Sequence, residues 1–124
     1  MSIIVQKFGG SSVADKDKLI NVANIISKTY DEGNQIVVVV SAQGKTTDGL
    51  VKKAEEITNT PNKREMDVLL STGEQITISL LAMTLQQMGK KAISFTGWQI
   101  PIITDKNSGN AKIKYIDDKT QILF

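Results

Sequence analysis

The chain has 124 residues, of which 15 are Lys or Arg and 13 are Asp or Glu, giving a formal net charge of +2; this length suits one domain with a core of its own. So small and unclustered a basic excess, with only six aromatic residues (one Trp, two Tyr, three Phe), argues against a nucleic-acid partner, which would need a phosphate-binding patch or a stacking platform. There is no cysteine and no histidine. That excludes disulfides, thiolate nucleophiles, Cys/His zinc centres and histidine general bases together, and leaves Lys, Asp, Glu, Ser, Thr and the backbone to carry any chemistry.

In chain order, Ile3 to Val5 reads as a short buried strand. After the junction Lys7-Phe8-Gly9-Gly10-Ser11-Ser12 the period changes. Leu19, Val22, Ala23, Ile26 and Tyr30 recur at three- and four-residue spacing and predict a helix between Val13 and Tyr30. Ser11 or Ser12 can cap its start, and Gly33 is its stop. Ile36 to Val40 is a continuous β-branched run, the pattern of a central parallel strand covered on both faces. Leu50, Ala54 and Ile57 mark a second helix that ends near Asn59-Thr60-Pro61. A long third helix runs from about Lys63 to Met88, with Gly89 as its stop. Its uncharged stretch, Gln75 to Gly89, is interrupted by polar residues and falls short of the ~20 needed to span a bilayer. With no cleavable signal pattern at the start, the expectation is a cytoplasmic protein without a membrane partner. Ala92 to Phe95 reads as a third strand. Ile100–Thr104 and Ala111–Ile116 read as a hairpin around Asn107-Ser108-Gly109-Asn110. The last residues, Gln121-Ile122-Leu123-Phe124, are apolar and uncapped, so the chain reads as cut off in mid-domain.

The order strand, helix, strand, helix, helix, strand predicts an α/β fold with a mostly parallel sheet. In such sheets ligands bind beyond the carboxyl ends of the strands. Two loops there stand out. In the first, paired glycines allow close backbone approach and Lys7 adds a mobile charge, which suits a phosphate group; a plain tight turn with a solvated lysine accounts for the same residues equally well. In the second, Gly44-Lys45-Thr46 invites a P-loop reading, but that motif needs a glycine where Val39 stands, inside a strand. What remains is a set of hydroxyls, Ser41, Thr46 and Thr47, one of which capping of the next helix would explain. Gly73 lies inside the third helix, where it costs about 1 kcal/mol relative to Ala, a sign of close packing or ligand approach. Glu74 is the last charge before the uncharged stretch and needs a partner, either a structural lysine or an ammonium group on a ligand.

Taken together these stretches resemble the aspartokinases of the amino acid kinase family. "KFGGSS" is similar to the family's first signature, "VVVVSAQGKTTDGL" to its second and "LLSTGEQ" to its third. "FTGWQIPIITDKNSGNAKI" resembles the stretch that follows, with Ser108-Gly109-Asn110-Ala111-Lys112-Ile113 where the family commonly has His-Gly-Asn-Ala-Arg-Ile. The resemblance implies the amino acid kinase (carbamate kinase-like) fold, a three-layer α/β sandwich. It implies phosphorylation of the side-chain carboxylate of L-aspartate by ATP with Mg2+, the first step towards lysine, threonine and methionine. It implies that Lys7 lies against the transferring phosphate as the catalytic charge. Phe8, Gly9 and Gly10 would complete the ATP phosphate loop through backbone N–H groups. Ser41 and Thr47 would hold the aspartate, and Glu74 would meet its α-ammonium. No protein residue is assigned to the metal.

Residues 1–124 would then be the amino-terminal part of an incomplete kinase domain. Its carboxyl-terminal half and a pair of ACT regulatory domains would be absent, and a homo-oligomer is expected. Two other readings compete. One is a non-catalytic piece of the fold that needs a partner chain to complete its sheet. The other is a generic phosphate- or nucleotide-binding α/β module.

Overall fold

The computed structural model describes residues 2–117, so the apolar ending Gln121–Phe124 lies outside the described residues. Strand β1 (Ile3–Phe8) and strand β2 (Gln35–Val40) pair in parallel, in register from Ile3 opposite Gln35 to Phe8 opposite Val40. The crossover between them is helix α1 (Lys16–Asp31), entered through a single 3-10 turn at Gly10–Val13. That turn, closed by the Ser12 N–H donating to the Gly9 carbonyl at 3.1 Å, moves the helix start past both serines. The cap is Asp15 instead, whose carboxylate accepts from the Lys18 N–H at 2.9 Å. Gly33, at φ 94°, ends the helix as expected; its N–H donates to the Tyr30 carbonyl at 2.9 Å.

Helix α2 (Thr46–Ile57) packs on helix α3 (Lys63–Gln87), and α3 packs in turn on α1 and β2. Asn62 caps α3 by accepting from the Glu65 N–H at 3.1 Å, and Gly89, at φ 81°, lies just past its end. By length and composition α3 is apolar enough to cross a membrane. It nevertheless buries Gly73, Thr77, Leu81 and Leu85, a four-residue repeat that puts one stripe of the helix inside the protein. The core joins Leu81 and Leu85 to Val13, Leu19, Val22, Ala23 and Ile26, over the inner face of β1 and β2 at Phe8, Ile36, Val38 and Val40. Lys90 ties the ends of α1 and α3 together. It pairs with the Asp31 carboxylate and stands 5.5 Å from the centre of the Tyr30 ring.

The α/β class and the parallel sheet expected from the element order are present. Besides the serine cap, three local expectations are not met: a strand at Ala92–Phe95, cover on both faces of β2, and burial of Ile3 and Val5. Ala92 to Phe95 joins no sheet among the described residues. A strand needs a neighbour for its ladder, and the Ala92 carbonyl is instead taken by the Gln86 side chain, Nε2 to O 3.0 Å. The β-branched run of β2 is covered on one face only. On the other, Ile3, Val5, Val37 and Val39 remain between 46% and 69% exposed, because no described element packs there. The expected hairpin is present as β3 (Ile102–Thr104) and β4 (Ile113–Ile116), antiparallel with a register shift after Ile103.

Candidate functional site

Parallel pairing puts the carboxyl ends of β1 and β2 side by side, so the loops that follow them meet. The Ser41 N–H donates to the Phe8 carbonyl at 3.3 Å and the Gly44 N–H to the Gly10 carbonyl at 2.8 Å. The Gln43 side chain reaches across, Nε2 donating to the Val13 carbonyl at 2.8 Å. Ala42, only 5% exposed, lies at the centre. A Cβ at Gly10 would stand 2.6 Å from the Ala42 carbonyl oxygen, and one at Gly73 would stand 2.9 Å from the Ala42 Cβ. Neither position has room for a side chain. The first loop, the second loop and the middle of α3 therefore converge on one alanine, although they come from three distant parts of the chain.

The paired glycines differ in kind. Gly10 is closed in by the second loop, whereas a Cβ at Gly9 would meet no atom within 4 Å. The Gly9 N–H has no partner among the described residues. The same holds for the Gly10 N–H, so the pair differs in space and not in free donors, and Gly9 is its open member. Lys7 is exposed and, by the alternation of β1, shares the uncovered sheet face with Ile3 and Val5. It forms no ion pair among the described residues. The Phe8 side chain packs against the core, which leaves only its backbone for a ligand.

Ser41 is half-buried behind β2, and Thr47 is exposed in the first turn of α2. The N-cap of α2 is Lys45, with no side-chain cap bond, so neither these hydroxyls nor that of Thr46 serves as the helix cap. Glu74 is exposed one residue beyond Gly73, and no lysine pairs with it among the described residues. Among the described residues neither structural alternative, capping or a lysine partner, is realised.

The stretch Phe95–Ile113 is held elsewhere, near the start of α3, where the Gly109 N–H donates to the Asp67 carboxylate at 2.9 Å. Asp105 organises its turn by accepting the N–H groups of Asn107 and Lys112. An open apolar groove of about 720 Å³ runs between the start of α1 and the second half of α3, lined by Leu19, Ile20, Leu80 and Met83. It borders the second loop only at Gln43 and lacks the charged groups of the loop cluster, so it is not the candidate site. Among the described residues no three Asp or Glu side chains are grouped to hold a metal ion. The sequence pointed to Gly73 through its cost in a helix, but nothing in it singled out Ala42 or Gln43, whose roles depend on residues about 30 positions away.

The Amino acid kinase family pattern matches residues 2–123. An aspartokinase of Geobacillus stearothermophilus is 57% identical over 117 residues, covering 94% of this chain and 29% of that protein. Aspartokinase 2 of Bacillus subtilis is 56% identical over 117 residues, with the same coverage of each. The crystal structure of an aspartate kinase from Synechocystis superposes with a TM-score of 0.77 at 52% identity, over 81% of this chain and 17% of that one. The chain spans about 29% of the length of these curated relatives. Because the family pattern runs from the first strand past the hairpin, and a solved relative repeats the backbone, the chain belongs to the amino acid kinase family.

Proposed function

We propose that residues 1–124 form the amino-terminal part of the catalytic domain of an aspartokinase. Such an enzyme transfers the terminal phosphoryl group of ATP to the side-chain carboxylate of L-aspartate. The observation that carries the reading is the convergence of three stretches on Ala42, with the side chains of Lys7, Ser41, Thr47 and Glu74 making no hydrogen bond or ion pair among the described residues. A carboxylate oxygen of aspartate attacks the γ-phosphorus, the bond to the bridging oxygen of ADP breaks, and 4-phospho-L-aspartate and ADP result. The nucleophile has an ordinary pKa of about 3.9 and is ionised at neutral pH, so this step needs no histidine as general base. What the reaction requires is alignment and charge neutralisation.

In this reading Lys7 meets the transferring phosphoryl group, and the open Gly9 N–H donates to phosphate oxygen. Phe8 and Gly10 hold that loop in place, Phe8 through the core and Gly10 through its carbonyl bond to Gly44. Ser41 and Thr47 bind aspartate and Glu74 takes its ammonium group. Mg2+ arrives as part of the nucleotide substrate. The site of action is the cytoplasm, where both substrates are at hand.

A second reading has its own observation. The uncovered apolar face of β1 and β2 favours a piece that needs further chain to complete it, and the two readings agree that the 124 residues alone are inactive. A chimera tests the proposal. This chain replaces the matching segment of Bacillus subtilis aspartokinase 2, and ATP-dependent aspartyl hydroxamate is measured. Hydroxamate is expected from the chimera and not from the isolated chain. A folded chimera that makes none overturns the proposal. Nucleotide binding by the isolated chain that aspartate leaves unchanged favours the generic phosphate-binding module.

A further inference from the structure

We propose that Ala42 is a positioning residue. Through its methyl group it sets the separation of Ser41 from Glu74, and so tunes affinity for the amino acid rather than for the nucleotide. This rests on the reading of the site given above.

Ser41 immediately precedes Ala42, and Glu74 immediately follows Gly73. The contact between Ala42 and Gly73 therefore links two of the three groups assigned to aspartate, Ser41 and Glu74. A Cβ at Gly73 would lie 2.9 Å from the Ala42 Cβ, but at ordinary distances of 3.6 Å from Thr46 Cγ2 and 3.7 Å from Leu50 Cδ1. Only the alanine methyl stands in the way. A methyl at Gly73 must widen the spacing between α3 and Ala42 by at least about 0.5 Å to reach normal contact. The helix keeps a glycine in mid-course, at a cost of about 1 kcal/mol in propensity, where that glycine admits the close approach.

The two sides of Ala42 are separable. Its backbone oxygen faces Gly10 in the first loop, and its side chain faces Gly73. Changes to the methyl therefore act on α3 and Glu74 while leaving the phosphate-side loop contact in place.

The test uses the active chimera with Gly73→Ala, Ala42→Gly and the double variant. Weakening the charge-assisted contact of Glu74 with the ammonium group predicts a rise of about tenfold in the KM for aspartate from Gly73→Ala. The KM for ATP should stay within about twofold. The double variant removes the obstructing methyl as it adds the other, and should bring the KM for aspartate back to within about threefold of the parent. If Gly73→Ala does not fold, the double variant still must, with aspartate affinity restored. An unchanged KM for aspartate in Gly73→Ala overturns the assignment. So does an equal loss in both KM values, or a double variant no better than the single. An inactive parent chimera overturns the reading of the site itself. An active parent with any of those variant results overturns only the role of Ala42.

Discussion

Gly9 and Gly10 are neighbours of the same type, yet substitution should separate them sharply. In Gly10→Ala the new Cβ would stand 2.6 Å from the Ala42 oxygen, 3.3 Å from the Gly44 oxygen and 3.4 Å from the Gly44 nitrogen. All three are backbone atoms. They cannot swing aside, because Ser41 N–H is bonded to Phe8 and Gly44 N–H to Gly10 itself. Overpacking of this kind costs about 1–3 kcal/mol. If the loops part to relieve it, the Gly44–Gly10 bond is lost for a further ~0.5–1.5 kcal/mol. A total of roughly 2–4 kcal/mol, at about 4 °C per kcal/mol for a domain of this size, predicts a Tm lower by roughly 8–16 °C. Gly9 is at φ −75° and ψ 170°, ordinary extended backbone for any residue, with open space where the Cβ would point. Gly9→Ala should leave stability unchanged or raise it by up to about 1 kcal/mol, through the less flexible unfolded chain. Thermal unfolding of the isolated chain by circular dichroism, at matched concentration, reads both. A Gly10→Ala variant within about 2 °C of the parent would refute the reasoning, as would a Gly9→Ala variant that falls equally far.

In the chimera, Lys7→Ala should lower turnover by about 10²–10³, the usual effect of losing one transition-state donor, with Tm unchanged because Lys7 forms no ion pair among the described residues; near-normal turnover would show that Lys7 is only a solvated strand residue. Glu74→Gln keeps the size and removes the charge, so the KM for aspartate should rise well above any change in the KM for ATP, and if neither constant moves Glu74 is a plain surface group. Asn62→Ala removes the α3 cap and should cost about 1 kcal/mol, seen as a Tm lower by roughly 4 °C; no shift would mean that packing alone holds the start of α3. The uncovered face bearing Ile3, Val5, Val37 and Val39 should make the isolated chain associate, and Val37→Glu should shift it towards monomer in light scattering. A monomeric parent rules that out.

The features legible in the sequence are those whose causes act within a few residues. The first two helices follow from apolar spacing, and the ends of the first and third at Gly33 and Gly89 from the φ values that glycine alone adopts freely, 94° and 81° here. The hairpin follows from alternation on either side of a turn-forming run. Gly73 was suspect because a helix interior penalises it. Other features were illegible because their cause is distant. Whether Ala92–Phe95 became a strand depended on a neighbour to pair with, and its first carbonyl went to Gln86 instead. Whether a serine or Asp15 capped α1 depended on a 3-10 turn set by the Gly9–Ser12 bond. That Ile36–Val40 would be covered on one face only could not be read from a run apolar throughout. The sequence by itself therefore determined the local elements and marked out the chemistry-bearing stretches. The tertiary structure alone decided how those stretches divide the work. It brought the Ala42 carbonyl against Gly10 and left Gly9 open, and no local pattern distinguishes two adjacent glycines until a backbone some 30 residues away closes on one of them.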